Sequence, residues 1–275
     1  MDDPAQAALQ RKLSELRSEH RDLDDVIALI SETQPFDQLQ LQRLKKRKLQ
    51  LKDSILQLES RLLPLARKAG VPGIPELVQK MRAGSEALIN DVVEAMTTNE
   101  TFFFRDKTPF DHFKDSVIPE LIKARSGRRS LRVWCAASST GQEPYSIAMC
   151  LKELGAPAAG WRFEIVGTDL SQSVLEKSKS GLFSQFEVQR GLPIQFLVKY
   201  FKQTGDLWEI SPEIRAMVQY RQLNLLNDFS QLGTFDIVFC RNVLIYFDQA
   251  TKVGILDRIA KRLEPDGYLT LGAAE

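Results

Sequence analysis

From Leu131 onward the chain alternates short apolar runs with amphipathic segments, and that alternation calls for a parallel sheet covered by helices. LRVWCAA (131–137), RFEIVGTD (162–169), VQYRQLNLL (218–226), FDIVFCRN (235–242) and GYLTLGAA (267–274) read as strands. GQEPYSIAMCLKEL (141–154), SQSVLEKSKS (171–180) and TKVGILDRIAKRL (251–263) read as helices. The expected fold class is α/β, a doubly wound, Rossmann-like sheet. Such sheets bind ligands beyond the carboxyl ends of their strands, so the candidate residues should follow each strand directly.

The loop after the first strand, AASSTGQEP (136–144), consists largely of small residues that let a ligand lie close to the backbone. Its one glycine is Gly141; neither GxGxxG nor GK[ST] is present, which disfavours a pyrophosphate cofactor. Asp169 ends the second strand, where a carboxylate accepts hydrogen bonds from both hydroxyls of a ribose; as a plain alternative it caps the next helix, work that Ser171 can also do. A ribose without a pyrophosphate fits S-adenosylmethionine (SAM) better than a nicotinamide dinucleotide. Asn224 and Leu225 follow the third strand, and Arg241 and Asn242 the fourth, where an adenine and a methionine tail would be held.

Upstream lies TTNETFFFRD (97–106), in which Phe102, Phe103 and Phe104 are framed by Asn99, Glu100, Thr101, Arg105 and Asp106. Two of the phenylalanines are expected to be core; the polar frame calls for another role. Before it, residues 62–96 read as short helices punctuated by Gly70, Pro72, Gly73, Pro75 and Gly84, with Ser85 placed to cap the last of them.

The first part of the chain has a different periodicity. Leu9, Leu13, Leu16, His20, Leu23, Ile27 and Ile30 recur in steps of four and three, and the pattern restarts at Leu41, Leu44, Lys48, Leu51, Ile55, Leu58 and Leu62 after a break at Ser31–Asp37. Two such helices make an antiparallel coiled-coil hairpin whose leucine stripe pairs internally, with a second copy, or with the next domain. Leucines interspersed in RLKKRK (43–48) put those charges on a solvated face, and His20 reads as a register residue rather than a metal ligand.

Composition narrows the function. With 37 basic and 36 acidic side chains no global field draws nucleic acid. No apolar run approaches the roughly 18 residues of a membrane span, and MDDPAQAALQRK lacks the features of a signal peptide, so a cytoplasmic location is expected. Cys135, Cys150 and Cys240 lie in apolar segments without a CxxC pair and read as buried free thiols, with no metal site.

TTNETFFFRD, STGQEPYSIA, GTDLS, NLL and FDIVFCRNVLIYFD, in this order, resemble the CheR family of chemotaxis receptor methyltransferases from about Leu58 to the last residue. The resemblance implies a SAM-dependent methyltransferase that esterifies glutamates on cytoplasmic helices of methyl-accepting receptors. It implies that Asn99, Thr101, Arg105, Glu143, Asp169, Asn224, Leu225, Arg241 and Asn242 line the cofactor site, with Arg105 nearest the chemistry and the phenylalanine segment as a lid. The front end, HRDLDDVIALI followed by DQLQLQRLKKRKLQLKD, resembles a small family of uncharacterised (YdcH-like) helical hairpins, to which no activity is attached.

The expected domains are a hairpin over 1–60, an all-α subdomain over 61–107, and the SAM-binding α/β domain over 108–275, with a small β insertion near 203–222. The family's fold normally continues beyond the GAAE at 272–275 through a final antiparallel pair of strands, so a shortened carboxyl end with an open edge at Tyr268–Ala273 is expected. Self-association through the hairpin is a further expectation. The competing readings are a SAM-binding scaffold without turnover and, third, a dinucleotide reductase.

Overall fold

The computed structural model describes residues 14–27, 38–155 and 159–275. The chain divides into two compact units between Thr97 and Thr98.

In the first unit, α1 spans residues 14–27 and α2 spans Gln38–Lys68. Arg17 pairs with Glu59 and Lys48 with Asp24, so ascending positions on α1 meet descending positions on α2 and the helices run antiparallel. Leu16 and Leu51 are buried on the expected seam, and Lys45, Lys46 and Arg47 are exposed, as the leucine spacing requires. The seam positions Leu9, Leu13 and Ile30 and the break at Ser31–Asp37 lie outside the described residues, as do the side chains of Leu41 and Leu44. α2 runs on without interruption past residue 60, carrying Pro64 within it, so the hairpin's second arm is also the first helix of the small core that follows. That core is closed by α3 (Ile74–Arg82) and α4 (Glu86–Met96), which pack Leu77, Val78, Met81, Leu88 and Val92 against Leu62 and Ala66. Each such aliphatic side chain contributes about 1.5–3 kcal/mol on full burial. Ser85 stands at the N-cap of α4, but its hydroxyl makes no capping bond, so the sequence signal is right in place and unused in chemistry.

The second unit begins with the aromatic segment and a helical stretch in which α5 (Thr108–His112) passes through one π-helical turn, Phe113–Val117, into α6 (Ile118–Ala124). Then come β1 (Ser130–Ala136), α7 (Gln142–Glu153), β2 (Arg162–Asp169) and α8 (Gln172–Ser180). A smaller group follows: β3 (Leu182–Ser184), α9 (Gln185–Gln189), α10 (Ile194–Tyr200), β4 (Phe201–Thr204), β5 (Leu207–Ile210) and α11 (Pro212–Arg215). β6 (Val218–Gln222), β7 (Phe235–Cys240), α12 (Gln249–Ala260) and β8 (Leu263–Leu271) complete the unit.

The central sheet has the order β6-β2-β1-β7-β8, and every pair in it is parallel. Its inner strands β1, β2 and β7 carry continuous apolar runs because both faces are covered. Val133, Cys135, Ile165, Ile237 and Phe239 join one core with Phe110, Phe113, Tyr145 and Met149. Trp134, Ala136, Val166, Val238 and Cys240 join the other with Phe229, Ile255 and Ile259. Cys135, Cys150 and Cys240 are buried, unpaired thiols. β1 sits at the switch point, with β2 on one side and β7 on the other, which directs a ligand to the carboxyl ends of these strands.

The small sheet, ordered β3-β5-β4, is antiparallel. It overlaps the expected insertion near 203–222 in part: β4 and β5 fall there, β3 comes earlier from Leu182–Ser184, and Val218–Gln222 hydrogen-bonds to β2 in the central sheet, as the strand reading of 218–226 expects. Only three residues form β3, too few for a period of two to register. Where this region meets the aromatic segment, a Cβ on Gly191 would stand 2.0 Å from the Phe103 carbonyl oxygen, so the position admits glycine alone; its φ of +83° agrees. Among the described residues no helix is long and apolar enough to cross a membrane.

Candidate active site

The carboxyl ends of β1 and β2 are tied together by one carboxylate. Asp169, the last residue of β2 and 7% exposed, accepts the Ser139 N–H on Oδ2 at 2.8 Å and the Ser171 N–H on Oδ1 at 3.0 Å. Ser139 Oγ in turn donates to the Asn99 carbonyl at 2.9 Å, joining the aromatic segment to the same point. Ser171 does cap α8, its hydroxyl accepting the Val174 N–H at 3.3 Å, which leaves Asp169 for other work.

The loop itself departs from the expectation at Gly141. This residue is the N-cap of α7 at φ +95°, and a Cβ there would lie 2.7 Å from Tyr220 Oη and 3.1 Å from Ser178 Cβ. The missing side chain makes room for protein rather than for a ligand.

A second group forms at the end of β7. Arg241, its side chain 1% exposed, donates from Nη1 to Glu143 Oε2 at 2.9 Å. Its Nη2 donates to the Arg105 carbonyl at 2.7 Å and to Asp106 Oδ2 at 2.8 Å. Glu143, in the first turn of α7, is held between opposing influences: burial pushes its carboxyl up, against the pull of the Arg241 guanidinium. Arg105 is partly exposed; its Nη1 donates to the Glu100 carbonyl at 2.8 Å, and its guanidinium stands 5.6 Å from the Phe102 ring.

The backbone here is unusual. Phe104, Asp106 and Lys107 in the aromatic segment, Ala137 and Ser139 after β1, and Asn242 after β7 all have positive φ, between 40° and 66°. Such conformations cost about 1–3 kcal/mol each in non-glycine residues and persist where surrounding contacts over-determine them. Of the three phenylalanines, Phe103 is fully buried against Phe183 and Phe201 at 5.0 and 5.6 Å between ring centroids, and Phe104 packs on Phe110 and Phe196. Phe102 lies under the Arg190 guanidinium at 4.4 Å.

Asn99 and Asp169 are thus joined through Ser139, and Arg105 and Glu143 through Arg241. No hydrogen bond among the described residues links Thr101, Asn224 or Leu225 to either group. Asn224 Oδ1 accepts the Leu226 N–H at 2.9 Å and borders a cleft of about 370 Å³ with Leu170, Gln222, Leu223 and Asn227. The Leu225 side chain is buried in core, so any ligand contact falls to its backbone. Ser139 carries no sequence signal of its own, being one serine in a loop of small residues, and Asp106, part of the polar frame, carries none that names Arg241 as its partner.

The donor set fits an adenosyl sulfonium compound. A fixed carboxylate at the end of β2 suits a ribose diol, and the adjoining cleft offers two leucine walls and amide groups for the two edges and faces of an adenine.

Two family descriptions match the chain: a CheR methyltransferase SAM-binding domain over residues 99–275, and DUF465, a domain of unknown function, over residues 13–59. Chemotaxis protein methyltransferase 1 of Pseudomonas aeruginosa is 48% identical over 222 residues, covering 78% of this chain and 80% of the relative. Chemotaxis protein methyltransferase Cher2 of Pseudomonas putida is 47% identical over 221 residues, with the same coverage. That of Vibrio parahaemolyticus is 39% identical over 220 residues, covering 78% of this chain and 79% of the relative. With the parallel sheet, the strand-end site and these matches together, the chain belongs to the CheR family of SAM-dependent methyltransferases, and SAM is its cofactor.

Proposed function

We propose that the chain methylates glutamate side chains on the cytoplasmic helices of methyl-accepting chemotaxis receptors, producing glutamate methyl esters, and that it works in the cytoplasm. The observation that carries this reading is the pairing of Asp169, anchored at the end of β2, with an aromatic segment that brings Arg105 to the same strand ends. The chemotaxis names of the relatives support the substrate.

SAM supplies an electrophilic methyl group, and its transfer forms a C–O bond to the acceptor as the C–S bond breaks. The chain's residues need not activate the acceptor: a glutamate, with a reference pKa of about 4.3, is already ionised at pH 7. Their task is to orient a carboxylate oxygen in line with the methyl at about 3–3.5 Å. Arg105 is the cation we assign to that orientation. Its one main-chain bond and partial exposure leave it able to turn toward a carboxylate. Asn99, Thr101, Glu143, Asp169, Asn224, Leu225, Arg241 and Asn242 are proposed to shape the cofactor site around it.

Incubation with methyl-labelled SAM and receptor-containing membranes tests the proposal. An ester releases labelled methanol in mild alkali, whereas an N-methyl product retains its label. Label that resists alkali, or binding of S-adenosylhomocysteine (SAH) with no transfer at all, overturns the reading.

Self-association is a smaller part of the proposal, supported by Leu49 and Leu56, exposed one heptad apart on α2. A strictly monomeric sedimentation profile refutes it.

A further inference from the structure

We infer that Arg241 is a positioning residue: it latches the strained turn that carries Arg105 to the end of β7, and does not itself grip the cofactor. This rests on the site reading above but changes the role of one of its members.

A guanidinium has five N–H donors in a rigid fork. In Arg241 the Nη1 side serves Glu143, and Nη2 serves both the Arg105 carbonyl and Asp106. The remaining Nε is buried without a hydrogen-bond partner among the described residues, and the Phe110 ring lies 5.7 Å from Cζ. The guanidinium is therefore almost wholly buried and its named bonds are all internal, although Arg241 and Asp106 border a cleft of about 520 Å³ with Thr108, His112 and Leu271. Two of those three bonds land on residues 105 and 106, between the left-handed Phe104 (φ 51°) and the left-handed Asp106 and Lys107 (φ 66° and 40°). A further hold on this turn is the Phe104 N–H, which donates to Ser146 Oγ at 3.0 Å on α7. α7 also carries Glu143, so the end of β7, the start of α7 and the turn are locked as one piece. Without that lock the turn relaxes and Arg105 loses its place.

Asp106 provides the decisive variant, because its side chain is 48% exposed and its loss leaves Arg241 paired with Glu143. Removing Arg241 outright would leave Glu143 buried without its guanidinium partner, so Arg241→Lys serves instead; a lysine cannot span three acceptors. Asp106→Ala and Arg241→Lys should each lower kcat about ten-fold with KM for SAM within about two-fold, and the double variant should be no slower than the slower single, since both act through one contact. SAH should bind the Asp106→Ala protein with wild-type affinity by calorimetry. Amide exchange over residues 99–107 should accelerate in both single variants.

Wild-type kcat in Asp106→Ala, effects that multiply in the double variant, or Arg241→Lys losing SAH affinity with unchanged kcat would overturn the latch. If the wild type transfers no methyl group, the proposed function fails instead; unchanged exchange over 99–107 would still refute the latch on its own.

Discussion

Both ends of the central sheet carry buried arginine–carboxylate clusters, and they are built differently. At the amino ends Asp236, its side chain 1% exposed, accepts from Arg125 Nε at 2.9 Å, from Arg128, and from the Arg132 N–H at 2.9 Å. Arg125 uses its remaining nitrogens on Asp266, and Arg128 reaches Glu264 at 3.2 Å. One non-glycine residue nearby, Arg129, has positive φ. At the carboxyl ends Arg241 keeps an unpartnered Nε, and six residues around it and Asp169 are left-handed. A cluster with its hydrogen bonds complete holds α6 to the sheet; one under strain holds a shape for chemistry. Departures from local rules concentrate where a site is assembled.

Removing the carboxylate of the complete cluster should have the largest effect. Asp236→Ala leaves the Arg125 Nε and the Arg132 N–H without their acceptor while Asp266 still holds Arg125, and the expected loss is about 2–4 kcal/mol in urea unfolding. SAH affinity of the folded fraction should be unchanged; a stability loss below about 1 kcal/mol would erase the contrast between the two ends. Arg105→Ala tests the other end. Methyl transfer should fall about a hundred-fold while stability stays within about 0.5 kcal/mol, and unchanged kinetics would remove Arg105 from the chemistry. Asp169→Asn keeps an acceptor for only one of the two amides that meet it, and calorimetry should show SAH affinity falling about ten-fold, or about 1.4 kcal/mol.

The smallest effect belongs to α9, where Ser184 and Glu187 form a reciprocal cap and Lys177 pairs with Glu187. Burial pushes the Glu187 carboxyl up, but Lys177 and the Ser184 amide and hydroxyl outweigh it and hold the group below the usual carboxylate range. A carboxyl so lowered in the folded state adds stability above its unfolded pKa and loses it as pH falls through the folded value. Glu187→Gln should therefore cost about 0.5–1 kcal/mol at neutral pH, with the gap from wild type closing on acidification. A gap independent of pH, measured by thermal unfolding, would assign the effect to packing.

How much was legible follows the same division. The central strands were readable because a parallel sheet buried on both faces must be apolar throughout, and Asp169 stood out as the carboxylate ending such a run. What stayed hidden depends on backbone geometry. The left-handed turns at Phe104, Ala137 and Ser139 use residues that side-chain type does not mark for that conformation. The loop of small residues around Gly141 reads as room for a ligand, whereas Gly141 itself accommodates Tyr220, a neighbour set by tertiary packing. The Ser184–Glu187 cap was written in the sequence as S-x-x-E and went unread, since the three-residue strand before it gave no period to attach it to. Nor did any helix breaker mark residue 60, where α2 runs on.

Gly191 has an evolutionary consequence. Because the Phe103 carbonyl occupies the place of its Cβ, every amino acid with a side chain is barred there unless two main chains part. The partners that surround the crossing, such as Phe102 and Arg190, face no such bar. Position 191 itself is a fixed point, and lineages that retain the aromatic segment in this course must retain the glycine with it.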